Sequence, residues 1–141
     1  MEKEPIIKFS ALMIDCIDPH ELAVFYAKLI KWEIVYENAE YSVIASPNAK
    51  RGAYPSISFQ KNENFKPPVW PEEIDKQQQM AHIDFVVDDL EKSIEYAKQC
   101  GATVANTQFS EEWTVLFDPA GHPFCLCLAK ELIEKQDFAL L

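Results

Sequence analysis

The sequence predicts an α+β fold written twice: two βαβββ modules forming a shared open, curved mixed sheet with the helices outside. Three observations lead there. One pattern of residues recurs about 70 positions later, and a repeat of that length implies two copies of one supersecondary unit. Phe9-Ser10-Ala11-Leu12-Met13-Ile14-Asp15-Cys16-Ile17-Asp18-Pro19 leads through Tyr26-Ala27-Lys28 to Trp32-Glu33-Ile34-Val35. Met80-Ala81-His82-Ile83-Asp84-Phe85-Val86-Val87-Asp88-Asp89-Leu90 leads through Tyr96-Ala97-Lys98 to Gly101-Ala102-Thr103-Val104. In both copies an alternating apolar run gives way, at an acidic cap, to a stretch of helical period. After each helix, short apolar runs bounded by turn residues mark three more strands.

The first copy, residues 6–60, opens with a strand over Ile6–Ile14. Asp18 caps the following helix, Pro19 suits its first position and Glu21 stands three residues after the cap. Leu22, Phe25, Tyr26 and Leu29 fall on one helical face, which ends near Lys31. Strands follow over Trp32–Glu37, Tyr41–Ala45 and Ser56–Gln60, with a turn at 38–40 and a longer loop at 47–52. Residues 61–79 form a connector, because Pro67-Pro68-Val69-Trp70-Pro71 suits neither helix nor central strand. Trp70 is expected to anchor it, on the body of the protein or on a second subunit. The second copy, residues 80–128, begins with a strand over Ala81–Val87. Asp88 or Asp89 caps a helix over Leu90–Gln99, and Gly101 stops it. Strands over Ala102–Ala105, Trp113–Phe117 and Pro123–Leu128 complete the copy, the last two joined by an Asp118-Pro119-Ala120-Gly121 turn. The tail, 129–141, has helical composition and no place in the repeat.

With 48% hydrophobic and 12% aromatic residues over 141 positions, the chain has material for one compact core. A formal net charge of −10 argues against nucleic acid and against an anionic membrane surface, both of which need clustered Lys and Arg. No run reaches the length of a membrane span and the charged Met1-Glu2-Lys3-Glu4 start is unlike a secretory leader, so the expected location is cytoplasmic. Cys16, Cys100, Cys125 and Cys127 contain no C-x-x-C pair and read as reduced, buried thiols.

These residues resemble the vicinal oxygen chelate superfamily, the fold of glyoxalase I, extradiol dioxygenases and bleomycin-resistance proteins, and in particular its glyoxalase-like domains. The resemblance rests on Ile14-Asp15-Cys16-Ile17-Asp18-Pro19, Phe25-Tyr26, Leu29-Ile30-Lys31-Trp32-Glu33, His82-Ile83-Asp84, Val87-Asp88-Asp89-Leu90, and Asp118-Pro119-Ala120-Gly121-His122-Pro123-Phe124-Cys125-Leu126. It covers residues 6–128, and it specifies a fold better than a reaction.

The resemblance implies one divalent metal held by ligands from the first and last strands of both copies, His or Gln on the first strands and Glu on the last. The matching residues here are Ala11 (Leu12 if the helices set the alignment), Ser58, His82 and Cys125. Only His82 fits. Asp15 lies about four residues along from Ala11, roughly 13 Å at strand rise. Asp84 shares a face with His82, but two neighbours on one strand make a lopsided site. No metal or other cofactor is therefore expected; if a metal binds, His82 is its ligand.

Three readings follow. The preferred one is a glyoxalase-like protein that binds a small molecule in a concave cleft, with polar contacts from Ser58, Gln60, His82, Asp84 and Cys125. The second is a lyase, isomerase or dioxygenase of the same superfamily in which His82 is catalytic. The third is a resistance protein that sequesters a drug. A homodimer is expected through the Trp70 region and the Phe138-Ala139-Leu140-Leu141 end. His20 reads as a surface residue, His122 as a turn residue, and Cys125 as packing before chemistry.

Overall fold

The structure, a computed structural model, describes residues 3–49 and 55–129. The tail expected to be helical, from residue 130 onward, and part of the 47–52 loop lie outside the described residues. The first module runs β1 (Ala11–Cys16), α1 (Pro19–Ile30), β2 (Glu33–Glu37), β3 (Tyr41–Ala45) and β4 (Ser56–Lys61). The second runs β5 (Ile83–Val87), α2 (Leu90–Cys100), β6 (Thr103–Val104), β7 (Trp113–Phe117) and β8 (Pro123–Leu128). Each module has its own mixed sheet, ordered β1-β4-β3-β2 in one and β5-β8-β7-β6 in the other. The first and last strands of each module run parallel, and every other pairing is antiparallel. The chain divides into compact units at Glu63 and Asn64.

The caps act as their residue types require. Asp18 accepts the Glu21 N–H at 3.0 Å with Pro19 behind it, and Lys31 ends α1 in the left-handed region at φ 58°. Of the two candidate caps of α2, Asp89 is the one used, accepting the Lys92 N–H at 3.0 Å. Gly101 closes α2 at φ 123°, a backbone that glycine adopts without strain, and its N–H reaches the carbonyls of Ala97 and Lys98. β1 begins at Ala11 and not at Ile6. Its ladder starts where Ala11 meets Ser56, and the residue before Ser56 is Pro55, which has no N–H to extend the pairing. Ile6, Ile7 and Phe9 are consequently exposed.

In the first module α1 buries Leu22, Phe25 and Tyr26 against the sheet. Tyr26 stacks on Phe59 of β4 with ring centroids 5.4 Å apart. Strand alternation then sends Ser58 and Gln60 to the opposite, open face, in rows Met13–Ser58–Val43 and Asp15–Gln60–Tyr41. In the second module Phe85 meets Phe124 edge-on at 6.0 Å, and Leu116, Phe124 and Leu126 are buried on the side that α2 covers. The open face carries the rows Asp84–Cys125–Val115 and Val86–Cys127–Trp113.

The connector is irregular, as its prolines require, and packs on the second module. Trp70, joined to Pro71 by a cis bond, lies against the buried Ala105–Val115–Cys125 cluster. Trp70 thus anchors the connector on the protein's own body. Phe65 faces the His122 ring at 4.9 Å. The turn beneath is held by Asp118, whose carboxylate accepts the N–H groups of Ala120 and His122 and pairs with His122 Nδ1 at 2.9 Å. Gly121 has φ 96°, and a Cβ there would stand 2.7 Å from Pro67 Cβ.

Gly121→Ala should therefore cost about 1–3 kcal/mol in urea unfolding, from left-handed strain plus the clash with Pro67. A loss below about 0.5 kcal/mol would mean that the connector does not clamp this turn. A second expectation concerns His20, whose Nδ1 lies 2.6 Å from Glu37 Oε1. That hydrogen bond and the carboxylate charge raise His20 above its ordinary 6.5. The same hydrogen bond lowers Glu37, opposed by its desolvation and helped by the Ser42 hydroxyl. The tie contributes between the lowered Glu37 value and the raised His20 value; it is lost as pH rises through the latter or falls through the former. In an NMR titration His20 should return towards 6.5 in Glu37→Gln; an unmoved midpoint contradicts the pairing.

Candidate functional site

Superposing the helix caps, Asp18 on Asp89, sets Ala11 on His82 and Met13 on Asp84. Strand register then extends the comparison: Met13 pairs with Ser58 in the first module, and Asp84 pairs with Cys125 in the second. Three positions of the open face thus read Ala11, Met13 and Ser58 in one copy and His82, Asp84 and Cys125 in the other. Only the second set carries chemistry.

The structure brings those three together. His82 stands immediately before β5, and its Nε2 lies 3.0 Å from Asp84 Oδ1. One ligand atom of each of His82, Asp84 and Cys125 lies within 4.8 Å of the others. His82 and Asp84 are partly exposed, with side chains 41% and 58% accessible, whereas Cys125 is buried at 8%. The group is therefore a polar rim over a buried sulfur, walled by Val115, Cys127 and Trp70. Burial first, and then the Asp84 carboxylate, push the Cys125 thiol up to about 12, so it is a neutral S–H at neutral pH. Burial and Asp84 push Cys127 up as well. A thiol held this way is a poor nucleophile.

Ser58 and Gln60, the other two predicted contacts, belong to the first module. Ser58 is sealed at 3% exposure between Met13 and Val43. Gln60 is engaged by Asp15, its Nε2 donating to Asp15 Oδ1 at 2.7 Å, and Asn62 donates to Oδ2 at 3.0 Å. Asp15 is thus spoken for by its own strand neighbours.

The metal that the resemblance implies takes donors from both modules, and the donor chemistry tests it. Ala11 has no donor atom, and Ser58 offers only a buried hydroxyl, a poor partner for a divalent ion. The two-module ligand set does not fit these residues. The second module alone offers a nitrogen, an oxygen and a sulfur.

A feature that sequence reasoning missed lies on the first module. His20, Glu37 and Ser42 form a chain in which Ser42 Oγ donates to Glu37 Oε1 at 3.0 Å. With Ile17, Pro19, Asn38 and Lys61 they line an open hollow of about 580 Å³. No signal along the sequence joins a residue at a helix start to two residues of a distant hairpin.

The fold is shared with known proteins. The family model for the glyoxalase-like domain matches residues 11–127. A glyoxalase/bleomycin resistance protein/dioxygenase family enzyme from Burkholderia phytofirmans superposes with a TM-score of 0.62 at 14% identity, covering 84% of this chain and 95% of that one. The fosfomycin resistance protein FosX from Listeria monocytogenes gives 0.62 at 14%, covering 89% and 95%. The trypanothione-dependent glyoxalase I of Leishmania major gives 0.61 at 14%, covering 96% of both chains. At such identities the likeness is one of fold. No curated protein matches the chain in sequence. No helix among the described residues is long and apolar enough to cross a membrane. With two βαβββ modules in place and a family model spanning nearly all of both, the chain belongs to the glyoxalase-like domain family.

Proposed function

We propose that this glyoxalase-like protein binds a small apolar or aromatic molecule on the open sheet face of its second module, without the catalytic metal that takes ligands from both modules. The observation that carries the proposal is the pair of rows on that face. Val86 and Trp113 are 46% and 41% exposed and flank Cys127 in one row, an apolar platform open to solvent. The adjacent row begins at Asp84, beside His82, and these supply polar contacts to one edge of a ligand lying on the platform. Apolar surface with a few convergent polar groups is the usual composition of a small-molecule site. The donors of the first module support the metal-free part of the reading, since Ala11 and Ser58 leave the two-module centre without half its ligands. The neutral Cys125 thiol supports binding over covalent catalysis.

Titration of the metal-free protein with a panel of aromatic small molecules, followed by tryptophan fluorescence, tests this. Binding that Trp113→Ala weakens by about 10-fold or more, with the fold intact by circular dichroism, is the expected result. His82→Ala should weaken the same ligand while changing stability little, because the ring is half in solvent. Turnover of a bound compound that His82→Ala abolishes would establish an enzyme instead. Iodoacetamide at pH 8 should leave Cys125 unmodified in the native protein, as read by peptide mass spectrometry. Rapid alkylation there would overturn the account of a buried, neutral thiol.

A further inference from the structure

Given the small-molecule reading above, on which this rests, we infer that the ligand of the second module's open face is an organic cation. It carries an ammonium or guanidinium group on an aromatic or apolar body, with Asp84 as counter-ion and Trp113 as ring partner. Strands β5 to β8 contain no lysine or arginine, and Asp84 is the one residue in them with a formal charge at neutral pH. Its side chain is 58% accessible, and among the described residues its ion-pair partner is His82, at 3.0 Å, with no lysine or arginine in reach. An exposed carboxylate thus stands beside the apolar Val86–Trp113 strip with no fixed lysine or arginine to neutralise it.

Strand alternation puts the carboxylate and the rings on the same side. Asp84 and Val86 are two apart on β5, and their rows across the sheet are Asp84–Cys125–Val115 and Val86–Cys127–Trp113. Trp70 packs against the cluster that contains Val115 and Cys125, and Phe109 meets its ring edge-on at 5.7 Å. A cation at Asp84 therefore has one indole on the neighbouring row and another over its own, and the indole face is the best aromatic partner of a cation. The carboxylate is felt along both rows: after burial, Asp84 is what pushes the Cys125 and Cys127 thiols up. The charge of the ligand follows from what each alternative would cost. A neutral ring laid over this face strips water from Asp84 and returns no charge to it. An anion meets the carboxylate itself, and these strands offer it no basic side chain. A cation offsets the lost hydration, and the net charge of −10 favours its approach. The first module has no such place, since Met13 stands where Asp84 does and Asp15 is held by Gln60 and Asn62.

Three probes of similar shape and different charge test this: 3-hydroxyphenyltrimethylammonium, the neutral 3-tert-butylphenol and the anionic 3-hydroxybenzenesulfonate. Each is titrated into the full-length protein at low salt and followed by NMR at the tryptophan indole N–H signals. The ammonium should bind tightest, by about 5- to 30-fold over the neutral phenol, and the sulfonate weakest. Added salt should narrow the gap. Asp84→Asn keeps the side chain's shape and removes its charge, at an accessible position where misfolding is not at issue. It should weaken the ammonium by about 3- to 10-fold and leave 3-tert-butylphenol unchanged, a split that a merely structural role for Asp84 would not produce. Equal binding of the ammonium and the phenol, a preference that survives Asp84→Asn, or a tighter sulfonate would overturn the inference. If the phenol binds and Trp113→Ala weakens it, but charge makes no difference, the inference fails while the proposed function stands. If none of the three binds, both fail.

Discussion

In each module the first strand lies parallel to the last, and that pairing decides which side chains meet. Parallel strands cannot be joined by a tight turn, so the chain leaves β1 through a helix and two strands before β4 returns beside it. β5 and β8 repeat the route. The helix covers one face, and alternation puts every second residue of the paired strands on the other. A one-residue slip between β5 and β8 would send Cys125 towards α2 and Phe124 into the open. Against that slip stand the Phe85–Phe124 contact on the helix side and the packing of Val115 and Trp70 on Cys125. The register is therefore held from both faces, and the meeting of Asp84 with Cys125 depends on it.

The two copies share this frame and have parted in what they place on it. On the first open face Met13, Ser58 and Val43 make an unreactive row, and the Asp15 carboxylate is satisfied by Gln60 and Asn62. On the second, a histidine and a carboxylate stand over a buried thiol, beside an exposed Val86–Trp113 strip. The connector contributes to the difference. By seating Trp70 over Val115 and Cys125 it desolvates the sulfur, and its Phe65 and Pro67 press on the Asp118–His122 turn that launches β8. A segment that looks like a spacer in the sequence thus shapes the environment of Cys125.

Most of the fold was legible because it is written locally. Asp18 and Asp89 cap, Gly101 stops a helix, and Tyr41–Ala45, Trp113–Phe117 and Pro123–Leu128 read as strands because their periodicity and flanking turns say so. The early start expected for β1 at Ile6 failed for a nonlocal reason, since a strand extends only as far as its partner, and Pro55 ends the partner. The site was legible by residue type and not by arrangement. His82 stood out because, of the four positions the resemblance implies, it alone carries the expected ligand type. Asp84 looked like a lopsided neighbour and Cys125 like packing, because their proximity is a matter of register between strands far apart in sequence. The His20–Glu37–Ser42 chain was hidden for the same reason.

The central claim is that the chemistry of this duplicated chain is gathered on one open face, by the Asp84–Cys125 register of the second module. A crystal structure of the protein tests it most directly. The account predicts His82 Nε2, the Asp84 carboxylate and Cys125 Sγ within 4.8 Å of one another on the face of the sheet away from α2. A map in which Asp84 and Cys125 point to opposite faces of their sheet would contradict it.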